Sequence, residues 1–340
     1  MTPPRLSVLL PIYNAAATLE EALRSLAAQR FREFEIVAVD DGSTDATPRL
    51  LAAWARREPR LRVLRQPHQG IVAALQAGLA QCRAPLVARM DADDIALPQR
   101  LAAQVAFLEA HPQVAVVGCQ VAPFPPQAVR EGLRRYLAWQ NALLSDADIR
   151  REIFIESPFT HPSVAFRRAA VVAVGGYRDP GWPEDYDLWL RLYLAGARFA
   201  KLPQVLLRWR EHPHRLTRTD PRCSLENFLR AKAHYLARGP LAERDAVFLW
   251  GAGMMGRRLG RLLLREGVPL RAYLDIDPKK IGRTRQGRPI HPPEALPSLW
   301  SKAQRPALVV AVGAEGARPL IRKRLRDFAL REGEHWWFAA

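Results

Sequence analysis

Over its first 120 residues the chain alternates short apolar runs with stretches whose apolar side chains return at helical spacing. Leu6–Leu10 reads as a strand, and Leu19, Ala22, Leu23 and Leu26 mark one face of a helix within Thr18–Gln29. A second strand, Glu35–Val39, ends in acidic residues. Helix Pro48–Arg56, strand Leu61–Leu64, helix Ile71–Ala80 and strand Leu86–Met90 follow, the last again ending in acids. This alternation is the signature of βαβ units feeding a parallel sheet. Ligands of such sheets sit beyond the carboxyl ends of the strands, so both acidic ends are expected to face one crevice.

Residues 127–153 read as one long, mostly polar helical stretch holding Tyr136, Trp139 and Asn141. A loop with Pro158, His161 and Pro162 precedes the strand Ser163–Phe166. Leu225–Ala237 looks like a connecting helix and Arg238-Gly239-Pro240 like a boundary. From Ala246 the alternation restarts with strand Val247–Trp250, a glycine-rich turn, helix Arg257–Glu266 and strand Leu270–Leu274. A last strand–turn–helix unit over 307–330 precedes the apolar end Trp336-Trp337-Phe338. The expected organisation is an α/β domain over 1–215, a helical linker over 216–243 and a small α/β domain over 244–340.

A hydrophobic share of 49% and a charged share of 25% describe a folded globular chain. The early apolar run Ser7–Tyr13 is interrupted by Pro11 and far shorter than the ~20 residues of a bilayer span. No signal peptide or transmembrane helix is expected. Cys82, Cys119 and Cys223 lie far apart in no metal or redox spacing, which fits a reducing cytoplasm. The formal charge is +17, from 51 basic and 34 acidic residues. Such an excess can attract anionic lipid or phosphorylated substrates. Only six basic residues are Lys, so the excess also reads as an Arg-biased composition. No aromatic residues interleave with the basic clusters as a single-strand binder needs, so nucleic acid is not an expected partner.

Three acidic clusters carry candidate chemistry. In Asp40-Asp41-Gly42-Ser43-Thr44-Asp45 the later residues suit turn capping, whereas two adjacent carboxylates at a buried strand tip repel each other. One of them could accept a hydrogen bond from a nucleobase N–H or a ribose hydroxyl. Asp91-Ala92-Asp93-Asp94 offers the oxygen donors that a hard divalent cation prefers. On an extended segment Asp91 and Asp93 would point the same way, one toward metal and one toward ribose or water. Capping of the helix through Leu101–Leu108 is the alternative. Pro183-Glu184-Asp185-Tyr186-Asp187 precedes a helical apolar pattern. One acid there suits a helix N-terminus, and another could act as a general base.

The set Pro11-Ile12-Tyr13-Asn14, Asp40-Asp41-Gly42-Ser43, Gly70 with Gly78, Asp91-Ala92-Asp93-Asp94, His161-Pro162-Ser163 and Glu184-Asp185 resembles, in order and spacing, the family 2 glycosyltransferases of GT-A fold. The resemblance covers about residues 5–215. It implies inverting transfer from a nucleotide-diphosphate sugar to a saccharide or lipid-linked acceptor in cell-surface polysaccharide or glycolipid synthesis, with Mg²⁺ or Mn²⁺ on the diphosphate. By motif match Pro11 and Tyr13 would line the nucleotide pocket, Asp41 would hold the base, Asp91 and Asp93 would serve ribose and metal, and Asp185 would be the catalytic base. The family's late His, near metal or diphosphate, would be His212 in preference to His214. His161 and Glu184 are candidates for acceptor or leaving-group contact.

In the C-terminal module Gly251-Ala252-Gly253-Met254-Met255-Gly256 follows a strand and opens a helix, with Asp275 and Asp277 at the end of the next strand. That context allows a pyrophosphate to approach the helix start and an acid to read a ribose, so Gly251, Gly253, Gly256 and Asp275 form a candidate second nucleotide or dinucleotide site. The module resembles Rossmann-like domains. Its rival role is a ligand-free scaffold, or the output surface of a non-catalytic nucleotide-sugar sensor. With 19 basic and 9 acidic residues over 244–340, it is also where contact with an anionic membrane is expected. The runs Arg322-Lys323-Arg324 with Arg326, and Lys279-Lys280 with Arg283 and Arg285, are the ones chosen.

Overall fold

A computed structural model describes residues 3–213 and 215–340. The chain forms two compact units. One holds the residues up to Ile149 with Pro158–Pro180 and Glu184–Thr219, and the other holds Arg150–Ser157, Gly181–Pro183 and Asp220–Ala340. The second unit thus takes two short segments from inside the first 215 residues.

The first unit is built on strands β1 (Leu6–Ile12), β2 (Phe34–Asp40), β3 (Leu61–Arg65), β4 (Leu86–Arg89), β5 (Ile95–Ala96), β6 (Val114–Phe124), β7 (Ala165–Arg167) and β8 (Arg198–Arg210). They lie in the order β3-β2-β1-β4-β7-β6-β8-β5. β1, β2 and β4 are buried along their whole length, as parallel strands covered on both faces must be, and they therefore read as continuous apolar runs. Helix Ile71–Gln81 packs on them so closely that a Cβ at Gly78 would lie 2.3 Å from Leu9 Cδ1 and 2.9 Å from Val39 Cγ2. Gly78 is therefore a packing residue. In the parallel register Ile12 faces Asp40, so the Tyr13 and Asp41 loops leave the sheet side by side.

Two expectations are corrected here. The strand expected over Ser163–Phe166 is β7, Ala165–Arg167, which runs antiparallel to both β4 and β6, and Ser163 instead ends the short 3-10 turn His161–Ser163. Residues 127–153 are not one helix but a 3-10 turn at Pro126–Ala128 and helices Glu131–Asn141 and Asp146–Glu152. Asn141 ends the first helix by exchanging two hydrogen bonds with the Val121 backbone, both 3.0 Å. Ser145 and Asp148 then open the next by bonding each other's backbone N–H, each at 3.1 Å.

The second unit holds β9 (Ala246–Trp250), β10 (Leu270–Leu274), β11 (Thr284–Arg285), β12 (Arg288–His291), β13 (Pro306–Val310) and β14 (Trp336–Phe338), in the order β11-β12-β10-β9-β13-β14. All neighbours are parallel except the β11–β12 pair. The segment expected as a linker contributes helix Leu225–Arg238 to this unit. Lys232 on it is buried, and its Nζ donates to Ile155 O at 2.6 Å and Ala339 O at 3.2 Å. Asp275 accepts from Ala252 N (2.8 Å), Asp277 N (3.0 Å) and Lys280 Nζ (3.2 Å), so it clamps the glycine loop.

Three of the eight basic residues singled out to meet a membrane are answered inside the unit. Arg322 donates to Glu332 and Glu152, Arg324 to Glu294, and Lys280 pairs with Asp275 and Asp277. Among the described residues no helix is long and apolar enough to cross a membrane.

Candidate active site

Three groups of predicted residues gather at the carboxyl ends of the first unit's strands. In the first, Pro11 is buried at the end of β1, while Tyr13 projects, 47% exposed, and stacks on His68 with ring centroids 3.9 Å apart. An exposed aromatic face of this kind suits a nucleobase. Asn14 adopts φ +47, with its side chain accepting from Thr44 N at 2.9 Å and its N–H bound to Ser43 Oγ at 2.9 Å. Ser43, Thr44 and Asp45, which accepts from Ala16 N (3.0 Å) and Thr47 N (2.9 Å), are loop fasteners, as capping residues at a turn should be. The buried Asp41 accepts from Gln66 Nε2 (2.7 Å), Gln69 N (3.0 Å) and Gly70 N (2.8 Å), with His68 Nδ1 2.8 Å away. In this state the carboxylate holds the 66–70 loop. It would take a base N–H only by exchanging one of these donors.

The second group is the acidic turn after β4. The expected extended segment is a tight turn, with Asp94 N 3.5 Å from Asp91 O. The turn does more than an extended strand could: one oxygen each from Asp91, Asp93 and Asp94 comes within 4.8 Å of the others. Helix Arg100–Ala110 begins only after Gln99, so these acids do not cap it. The end of β8 closes over the turn. Arg210 N donates to Asp94 Oδ1 (2.8 Å), Arg210 Nε to Asp93 O (2.6 Å), and His212 Nε2 lies 3.0 Å from Asp93 Oδ2. His214 lies outside the described residues. Burial, then the Asp91 charge, push the Asp93 carboxyl up, against the pull of His212. Asp94 is driven well above the usual carboxylate range by burial and by both neighbours. Crowded carboxylates of this kind favour a compensating cation. Asp94 Oδ2 is buried with no hydrogen-bond partner, so the donor set fits a hard divalent ion that takes oxygen ligands.

Glu184 and Asp185 open helix Glu184–Leu194. Asp185 Oδ1 accepts from Tyr186 N at 2.7 Å. Asp187 is buried against Arg191 (2.7 Å), an i,i+4 pair that takes it out of any catalytic role. Buried His161 has Nε2 2.9 Å from Tyr177 Oη and Nδ1 3.8 Å from Glu184. Burial, with the Arg89 charge, holds it neutral, well below the ordinary histidine range. His161 therefore meets Tyr177 directly, with Glu184 beyond hydrogen-bond distance of its ring.

Two residues that the sequence did not single out link these groups. Arg89, buried on β4, pairs with Asp91 and has Nε without a partner. Burial opposes its charge, but Asp91 and, more weakly, Glu184 more than restore it. Tyr177 feels both Arg89 and the Glu184 and Asp185 charges. An Arg inside the apolar run Leu86–Met90 was the available signal for Arg89.

Lys201 supports the His161 loop from below, its buried Nζ donating to Pro158 O (2.9 Å) and Gln140 O. Burial lowers its pKa from 10.5 to about 7. Between those two values the unfolded chain holds a proton that the folded chain has released, so this residue makes stability rise with pH over that interval and leaves it flat below. Denaturant midpoints at pH 7 and pH 9.5 are expected to rise more in the parent protein than in Lys201→Met. Equal rises would remove the assignment.

The profile of Glycosyl transferase family 2 matches residues 7–175. The amylovoran biosynthesis glycosyltransferase AmsE of Erwinia amylovora is 38% identical over 207 residues, 60% of this chain and 75% of that protein. The UDP-Gal:alpha-D-GlcNAc-diphosphoundecaprenol beta-1,3-galactosyltransferase of Escherichia coli is 30% identical over 60% of this chain and 73% of its own. Among solved structures, S. aureus TarS 1-349 in complex with UDP-GlcNAc superposes with a TM-score of 0.57 at 21% identity, covering 77% of this chain and 72% of the other. The mixed sheet with acidic loops at its strand ends is the GT-A fold of nucleotide-sugar transferases. This chain belongs to glycosyltransferase family 2 and is a glycosyltransferase.

Proposed function

We propose that the enzyme transfers a sugar from a nucleoside-diphosphate donor to a saccharide or lipid-linked acceptor in cell-surface polysaccharide synthesis, by a single displacement that inverts the anomeric centre. The observation that carries this reading is the Asp91–Asp94 turn, with its converging carboxylates and the orphaned Asp94 Oδ2. It is supported by relatives whose names describe amylovoran biosynthesis and transfer from UDP-Gal to a diphosphoundecaprenol-linked sugar. Asp93 and Asp94, with His212 beside them, would hold Mg²⁺ or Mn²⁺, which supplies positive charge to the departing diphosphate. Asp91, steadied by Arg89, receives the donor ribose, and Tyr13 offers its face to the base. Asp185 takes the proton from the acceptor hydroxyl as it attacks. A lipid-linked acceptor would place the enzyme peripherally at a cytoplasmic membrane face.

The test is transfer from a panel of UDP- and GDP-sugars to a diphosphoundecaprenyl-linked saccharide, with EDTA and with Mn²⁺ or Mg²⁺ restored. Activity that disappears in EDTA, returns with the ion and yields an inverted linkage by NMR is expected. Undiminished transfer in EDTA, or a retained configuration, would overturn the reading.

A further inference from the structure

In the second unit the succession of parallel strands reverses at β9: β10 and β12 lie on one side of it and β13 on the other. At such a switch point the connections leaving adjacent strands part to opposite faces of the sheet and leave a crevice between them. A cavity of about 830 Å³ opens there, lined by the connections after β9 and β13 and by Asp275 at the end of β10.

The glycines in these connections fall into two kinds. A Cβ on Gly251 would come within 2.8 Å of Ala311 O, and one on Gly256 within 1.7 Å of Gly251 O, so packing requires both. Gly253 and Gly313 answer no such need. Neither has a positive φ, and nothing beyond its chain neighbours lies within 4 Å of where a Cβ would stand. Both line the cavity, so a side chain at either would project into the open space within it. Gly253 also caps the twelve-residue helix Met254–Arg265 without any side-chain hydrogen bond to its first N–H groups, which have no partner within the helix.

The remaining walls set an apolar patch beside charges of both signs, Lys280, Lys323 and Arg324 with Asp275, Glu294 and Asp327. Ile276 at 77% and Leu320 at 70% are the two most exposed large apolar side chains among the described residues, and both line this cavity with Met254 at 56%. Apolar surface gathered at one place marks a recognition site. Lys280 is held at the wall by Asp275, and Lys323 has no ion-pair partner among the described residues.

We propose that this cavity binds a nucleoside diphosphate group, additional to the donor of the first unit. The diphosphate would lie on the N–H groups of Gly253–Met255 and meet Lys280 and Lys323, with the base covering Met254, Ile276 and Leu320. A free nucleotide, a nucleotide-sugar and a dinucleotide all carry this group.

Calorimetric titration of the full chain in EDTA with UDP, GDP, ADP, UDP-glucose and NAD⁺ tests the assignment and separates these sources. EDTA withdraws the cation on which donor binding at the acidic turn would depend. At least one probe is expected to bind with a Kd below about 1 mM. Asp93→Ala should leave that affinity unchanged, Gly313→Leu should weaken it at least ~10-fold by filling the cavity, and Lys323→Glu, an exposed change that spares the fold, should weaken it several-fold. The idea is overturned if no probe binds at millimolar concentration, or if binding survives both Gly313→Leu and Lys323→Glu.

Discussion

Asp185→Asn is expected to lower turnover at least ~10²-fold while donor affinity and thermal stability stay near those of the parent enzyme. The amide keeps the shape of the carboxyl group and can still accept from Tyr186 N, as Asp185 does at 2.7 Å, so the helix start has little reason to rearrange. What it cannot do is accept the acceptor's proton. A hundredfold loss corresponds to about 2.7 kcal/mol of transition-state stabilisation, the scale expected of one well-placed base. Steady-state kinetics should therefore show a fall in kcat with KM for the donor little changed. Turnover within a few-fold of the parent would shift the role to Glu184. It would not shift it to Asp187, whose carboxylate is buried against Arg191.

Asp93→Ala is expected to abolish measurable transfer and to remove the stabilisation that Mn²⁺ or Mg²⁺ gives the parent protein. An ion that binds only the folded state raises the thermal midpoint in proportion to its excess over Kd. The parent should therefore show a midpoint that climbs with ion concentration, and the variant a flat one. Without ion, the variant should be as stable as the parent or slightly more so, because Asp93 is crowded by Asp91 and desolvated. A variant that still transfers sugar with normal ion dependence would take Asp93 out of the site, leaving Asp94, whose Oδ2 has no partner, and Asp91 as the remaining carboxylates.

Local pattern carried much of this molecule. The parallel strands β1, β2, β4, β9 and β10 are mostly apolar runs, the last four ended within a residue or two by Asp or Gly, and each stands within a residue or two of its expected place. Both properties are decided within a few neighbours, which is why they survive in one dimension. The residue types at the strand ends were equally legible, since a carboxylate cluster or a glycine pair is a fact of composition. Even the Asp187–Arg191 pairing is present in the sequence as an i,i+4 spacing.

Other features depended on partners far away in the chain. Asn141 breaks the helical stretch because the Val121 backbone, 20 residues earlier, is there to receive it. Arg89 becomes part of the site because burial removes water and leaves Asp91 and Glu184 to answer its charge. The acidic turn is fastened by Arg210 and His212 from more than a hundred residues away, and residues 150–157 and 181–183 join the second unit, where Ile155 O meets Lys232 and Trp182 packs beside Tyr235. The sequence by itself determined which chemistry could be present and at which strand ends. Only the tertiary structure decided which carboxylates remain available. Hydrogen bonds and ion pairs in a desolvated interior are made by whichever donors the fold brings within about 3 Å, and spacing along the chain does not encode that distance.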